Sequence, residues 1–279
     1  MKPLVSVIIP TYNRKNFLKI AIDSVLNQSF NNFELLIIDD GSNDSTEELV
    51  KSFKDQRIRY FKLDKNYGPS YARNFGIKNS NADFVAFLDS DDFWKKEKLE
   101  IQYSEMLKNN DYLLSHTDEI WLRNGKILNP KKIHLKEGGD IFKKSLKLCS
   151  ISISTVMAKK SLFDIVGFFD ESLPACEDYD MWLRVTALFP VLFINKKLTV
   201  KHGGHNDQLS KRFVGMDKFR IYSIEKLIKS NLLNKEKLKL AIEELKLKCE
   251  IYGKGCIKHN KISEGVYYLE LPKKYIQIC

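Results

Sequence analysis

The chain has 279 residues, 43% hydrophobic and 29% charged, which suits one large domain with an appendage and excludes a disordered chain. Its formal net charge of +10 points to an anionic partner: a nucleic acid, a membrane surface or a phosphorylated small molecule. Five cysteines without a C-x-x-C pair exclude a disulfide framework and a zinc site and fit reduced thiols, and no apolar run approaches the roughly 20 residues of a membrane span.

LVSVII (4–9) is β-branched and apolar at both parities, so it reads as a strand buried on both faces, not as a signal peptide. Asn16 is expected to cap the next helix, whose apolar face is Leu18, Ala21, Ile22, Val25 and Leu26. FELLIID (33–39) is a second buried strand, and Ser42–Ser45 opens another helix. IRYFKL (58–63) is a third strand, YGPSYARNFGIKNS (67–80) a turn and helix, and DFVAFL (83–88) a fourth strand. This alternation predicts an α/β fold, an open parallel sheet flanked by helices, with ligands bound at the carboxyl ends of its strands. The segments after those strands are Pro10-Thr11-Tyr12-Asn13, Asp39-Asp40-Gly41-Ser42, Asn66-Tyr67-Gly68 and Asp89-Ser90-Asp91-Asp92.

The second half alternates less cleanly. Residues 108–122 suggest a strand with a hairpin turn at Asn124-Gly125, and SISTVMA (152–158) a strand leading into a helix. Glu177, Asp178 and Asp180 open a further helix, where the dipole favours negative charge. The strand TVK (199–201) is followed by His202 and His205, and from about Met216 the chain is helical and basic.

Asp89, Asp91 and Asp92 place three carboxylates in four positions. A cap on a helix starting near Lys95 needs only one, so the cluster points to a divalent cation, with hard oxygen ligands suiting Mg2+ or Mn2+. No G-x-G-x-x-G and no G-K-[ST] is present, so bound phosphates would be neutralised by the metal and by basic side chains, with Arg14 and Arg73 as candidates. Tyr12 suits stacking on a base, against the competing reading of a packing aromatic.

Taken in order, VSVIIPTYNR, ELLIIDDGSNDST, NYGPSYARNFGI, ADFVAFLDSDD and EDYDMWLR resemble the family 2 inverting glycosyltransferases, which have the nucleotide-sugar-binding, Rossmann-like GT-A fold. The resemblance covers residues 4–205. It implies that Pro10 and Tyr12 line the base pocket, that Asp40 accepts from the base with Asp39 in support, and that Arg73 lies near the nucleotide. Asp89-Ser90-Asp91 matches the family's D-x-D, with Asp89 toward the ribose, Asp91 toward the metal and Asp92 assisting. Asp178 matches the general base, with Glu177 and Asp180 as acceptor contacts or supports, and His202 is the better of the two histidines for the metal or diphosphate.

The expected organisation is a GT-A domain over 1–212, with a nucleotide-binding half (1–110) and an acceptor and catalytic half (111–212), then a C-terminal helical region (213–279). The expected reaction is a metal-dependent, inverting transfer of one sugar from a nucleoside-diphosphate sugar, UDP foremost, to a glycan or lipid-linked acceptor in surface polysaccharide synthesis. Nucleic acid is not expected as a partner, because acids occupy the strand ends. The expected location is the cytoplasm, with the basic C-terminal helices packed on the core, paired with a second copy, or resting on the inner face of the membrane. The competing readings are a haloacid-dehalogenase-like phosphatase and a non-catalytic nucleotide-sugar-binding relative. QLSKRF (208–213) superficially resembles the Q-x-x-R-W motif of processive synthases, but its spacing is one residue too long and Phe213 replaces Trp, so single-sugar addition is expected.

Overall fold

The structure, a computed structural model, describes residues 2–204, 213 and 215–278, with side chains as far as Tyr275. Its first half alternates as the sequence predicts: β1 (Val5–Thr11), α1 (Lys15–Leu26), β2 (Phe33–Asp39), α2 (Thr46–Ser52), β3 (Ile58–Lys62), α3 (Pro69–Asn79) and β4 (Phe84–Phe87). These strands pair in parallel, β3-β2-β1-β4. β1 and β2 are buried along their whole length. Val5, Val7 and Ile9 face one core beneath α1, while Ile8 faces a second core with Ala72 and Ile77 of α3. Two-sided burial is why these strands are apolar at both parities. α3 lies so close to β1 that a Cβ at Gly76 would meet the Ile8 side chain at 2.6 Å, so glycine is required there.

The sheet continues with the short β5 (Phe93–Trp94), α4 (Lys98–Lys108), β6 (Leu114–Arg123), β7 (Lys126–Leu128), α5 (Phe142–Lys147), β8 (Val156–Lys159), α6 (Leu162–Val166), α7 (Glu177–Leu188) and β9 (Leu192–Gly203). β8 joins β4 antiparallel, β6 joins β8 antiparallel, β9 runs parallel to β6, and β5 closes the edge against β9. The predicted hairpin turn is present, with Arg123 opposite Lys126 and both Asn124 and Gly125 at positive φ.

Three local expectations change. Asn16 lies inside α1, which starts at Lys15 after Arg14 with no side-chain cap. The helix expected near Lys95 begins at Lys98, because Phe93 and Trp94 pair with β9 first. SISTVMA is strand only from Val156; Ile153–Thr155 is a 3-10 turn, in which the Ser152 carbonyl accepts from the Thr155 amide and hydroxyl.

α8 (Asp217–Lys229), α9 (Lys235–Lys258) and α10 (Ile262–Glu270) follow. Ile221, Ile224, Leu227, Ala241, Leu245 and Cys249 form a third core with Leu183 and Tyr179 of α7 and Phe142 and Leu146 of α5. Lys226 of α8 reaches Asp170 at 2.6 Å and Asp180 at 2.9 Å, and Asp180 also accepts from Arg184. The C-terminal helices therefore brace the helix that opens with the Glu177-Asp178 pair. No helix among the described residues is long and apolar enough to cross a membrane.

Candidate active site

The carboxyl ends of β1, β2 and β4 lie on one edge of the sheet, since Thr11 pairs with Asp39 and Ile8 with Phe87. A cavity of about 600 Å3 opens there, lined by Pro10, Tyr12, Arg14, Asp40, Arg73 and Asp89–Asp92, and by Lys201 and His202 from β9. Asn66, Tyr67 and Gly68 complete one wall, and Phe213 and residues 171–174 another.

The wall formed at the ends of β2 and β3 is built by backbone capture. The Asp40 carboxylate accepts from the Tyr67 and Gly68 amides, both at 2.8 Å, which fixes the entry to α3. Burial raises its pKa, those two amides oppose the rise, and Asp39 adds to it. Asp39 is fully buried and does not line the cavity; it accepts from the Ser42 amide at 2.8 Å and the Tyr60 hydroxyl at 2.5 Å. Asp39 thus holds the turn that carries Asp40. Gly41 in that turn has φ +79, and a Cβ would stand 2.7 Å from the Lys65 carbonyl carbon. Tyr12 is 40% exposed, so its face is available to a planar ligand.

At the far side Asp89, Asp91 and Asp92 converge, each offering an oxygen within 4.8 Å of the others. Arg14 donates to Asp91 at 2.7 Å, and Arg73 donates to Asp89 at 2.8 Å and, through its other terminal nitrogen, to Glu177 at 2.8 Å. Asp92 is buried and accepts from the Ser154 hydroxyl at 2.6 Å and the His202 amide at 3.0 Å. Burial raises its pKa, Lys201 opposes that rise, and Asp91 and Asp89 add to it. Burial lowers the pKa of Arg73, but Asp89 and Glu177 outweigh it and hold the guanidinium charged. Burial raises the pKa of Glu177, against Arg73 and with Asp178. Three convergent hard oxygen donors fit a Mg2+ or Mn2+ ion. His202 packs on Phe93 and turns Nδ1 to the Asp91 carbonyl at 3.1 Å. Ser90 is buried in the cavity wall.

Asp178 stands half-buried in the first turn of α7. It accepts from its neighbour's amide, Tyr179, at 2.7 Å and from the Cys149 thiol at 3.2 Å. It is not among the cavity-lining residues; Lys201 joins the two, since the fields of Glu119, Asp92, Asp89 and Asp178 together raise the Lys201 pKa against the effect of burial. Among the described residues, the one hydrogen bond of the Lys201 ammonium is a 3.4 Å contact to the Ser152 hydroxyl.

Sequence reasoning missed Lys201, Ser152, Ser154 and Glu119. Ser154 is the pin of the acidic cluster, accepting from the Asp89 amide at 3.1 Å while donating to Asp92. Its signal in the sequence was only a serine in an apolar stretch. Lys201 was visible as a charge directly after the buried Leu198-Thr199-Val200 run of β9. Asp180 is a support, held by Arg184 and Lys226 away from the cavity. His205 and residues 208–212 of QLSKRF lie outside the described residues.

Residues 6–163 match the family model "Glycosyl transferase family 2", and the chain belongs to that family. It is 43% identical over 198 residues to an "Uncharacterized glycosyltransferase" of Rickettsia felis, covering 70% of this chain and 32% of the relative. It is 39% identical over 185 residues to Escherichia coli "UDP-Glc:alpha-D-GlcNAc-diphosphoundecaprenol beta-1,3-glucosyltransferase WfgD", covering 65% of this chain and 69% of that protein. The chain thus spans about a third of the length of the Rickettsia felis relative. The fold is that of S. aureus TarS 1-349 in complex with UDP-GlcNAc, with TM-score 0.75 at 20% identity over 96% of this chain and 79% of that one. A mannosyltransferase from Pyrobaculum calidifontis, in complex with GDP-Man and Mn2+, superposes with TM-score 0.65 at 13% identity over 99% of this chain and 81% of that one. The GT-A architecture expected from the sequence is therefore the observed one.

Proposed function

We propose that the chain is a metal-dependent inverting glycosyltransferase that moves one sugar from a nucleoside-diphosphate sugar, UDP foremost, to a hydroxyl of a glycan or lipid-linked acceptor. The observation that carries this reading is the single edge of the sheet that holds an exposed aromatic wall at Tyr12 and the convergent Asp89-Asp91-Asp92 cluster. The family membership and the donor-bound structures of similar fold support it. The name of the E. coli relative, whose acceptor is a diphosphoundecaprenol-linked saccharide, supports a lipid-linked acceptor here.

In this reading Tyr12 stacks on the base, with Pro10 beside it, and Asp40 accepts from the base edge. Asp89 and Ser90 face the ribose. Asp91, assisted by Asp92, holds the cation, with His202 as a further ligand; Arg14 and Arg73 fix the carboxylates and add positive charge beside the diphosphate. When bound, a divalent cation supplies Lewis-acid stabilisation of the leaving diphosphate. Asp178 takes the proton from the acceptor hydroxyl as its oxygen bonds to the anomeric carbon and the bond from that carbon to the diphosphate breaks. No serine or cysteine nucleophile is needed, which agrees with a single inverting step.

The test is calorimetric titration with UDP, GDP and dTDP, each with Mn2+ and with chelator. Metal-dependent binding of one of them is expected, and Asp91→Ala should abolish the metal dependence. Binding of none by the folded chain, or unchanged Mn2+-dependent affinity in Asp91→Ala, would overturn the reading.

A further inference from the structure

β6 runs on into the exposed hairpin with β7 and an exposed loop, after which the chain returns to the core at Phe142 and Leu146 of α5. Residues 123–147 hold eight basic residues against two acidic ones, a net +6 of the chain's +10. Both acids are already paired, Glu137 with Lys144 and Asp140 with Lys237. Arg123, Lys126, Lys131, Lys132, Lys143 and Lys147 are exposed, and none forms an ion pair among the described residues.

Apolar side chains lie bare between these charges. Ile127 is 69% exposed, and Ile133 and Leu135 are each 57% exposed, with Leu128 at 40%. Leu128 pairs with Trp121 and Ile127 with Leu122, so consecutive residues of β7, the strand outside β6 and β9, present apolar groups to opposite faces of the sheet edge. Both are exposed there, with no core over either face of β7. Alternating lysines and bare aliphatic groups on an exposed hairpin suit an interface that is anionic outside and apolar within.

The hairpin and its loop are fastened to the acceptor side of the site. The Lys136 ammonium reaches back to the Ser150 carbonyl and the Ser152 hydroxyl, each at 3.0 Å, and to Glu119 at 3.3 Å. Cys149, in the same stretch, touches Asp178.

The C-terminal helices compare poorly. Residues 213–279 carry the same net +6, but spread over 67 residues with eight acids interleaved. Their exposed Leu247 and Ile251 lie beside Glu243, which would face an anionic surface with like charge, and beside Glu250, which is paired with Lys254.

We infer that residues 123–147 seat the protein on an anionic phospholipid bilayer, with the hairpin tip at the lipid and Asp178 tied to the chain just after that segment through Cys149. This deepens the reading of a transferase with a lipid-linked acceptor and rests on it for its purpose, but the contact itself needs neither donor nor transfer.

The test is flotation of the whole chain with vesicles of phosphatidylcholine alone and of an equal mixture of phosphatidylcholine and phosphatidylglycerol. Binding to the mixed vesicles only, weakened by salt, is expected. The variant K126E/K131E/K132E should lower the partition by about a hundredfold, and I127S/L128S by about tenfold. L247S/I251S on α9 should leave it unchanged. Retained nucleotide binding by each variant shows that it folds. No binding to mixed vesicles, binding indifferent to phosphatidylglycerol, or binding lost in the α9 variant and kept in the hairpin variants would overturn the inference. A chain that binds vesicles but no nucleotide would instead break the transferase reading and leave this one standing.

Discussion

The acidic cluster inside the cavity and Asp178, which is not part of its lining, are built on different electrostatic plans. At the Asp89–Asp92 end, Asp89 and Asp91 are each held by an arginine and Asp92 by a serine hydroxyl and a backbone amide. At the Asp178 end the carboxylate meets a thiol and its neighbour's amide, and the nearby Lys201 acts across a gap. Arginine pairing at the first end sets oxygen ligands around one point, as a cation site needs; at the second no guanidinium engages the carboxylate among the described residues.

The comparison can be broken most directly at Asp178. Asp178→Asn should lower transfer by roughly 10²–10⁴-fold, the usual worth of a general base, while donor binding measured by calorimetry is kept. Near wild-type turnover would mean that the proton goes elsewhere. Arg73→Met should act on the fold instead. It leaves Glu177 buried beside an unpaired Asp89, a change that typically costs about 3–5 kcal/mol, seen as a fall in the urea midpoint. An unchanged midpoint would show that the arginine is there for the ligand alone.

Lys201→Met sharpens the contrast, because the ammonium is shared by both ends. About a tenfold loss in kcat/KM is expected, from the loss of one charged hydrogen-bonding group in the site, with more of it in the acceptor KM than in donor affinity. A loss confined to donor affinity would assign Lys201 to the Asp89–Asp92 end.

The smallest effect lies in the brace behind α7. Burial would raise the Asp170 pKa, but Lys226 and Ser172 outweigh it and lower it from 3.8 to about 2. The carboxylate binds its proton less readily in the folded chain, so its contribution is complete above pH 3.8 and is lost as pH falls toward 2. After allowance for solvent screening this is about 1 kcal/mol. Asp170→Asn should lower stability by that amount at neutral pH and by nothing near pH 2, which acid titration followed by circular dichroism would read. An equal loss at both pH values would refute the ion-pair origin.

Much of the first half of the fold is legible in the chain itself. The double parity of LVSVII and FELLIID dictates two-sided burial, and the turn chemistry of DDGS and NYG fixes where the strands stop. Three carboxylates crowded after a buried strand also declare themselves, because local repulsion demands a counter-charge whatever the fold. What the sequence leaves open is which partners supply it. Arg73 lies 16 residues from Asp89 and 104 from Glu177, and Ser154 lies 62 from Asp92. Such pairings carry no period and no motif, so only the tertiary structure decides them. The same holds for Lys201, whose significance comes from four carboxylates on three separate segments, and for SISTVMA, where β propensity yields to a turn that aims Ser154 at the acidic cluster. The sequence by itself determined the strands, their ends and the chemical kinds gathered there, because these follow from local burial and turn geometry. The tertiary structure decided which charges face each other, because that depends on distances between elements far apart in the chain.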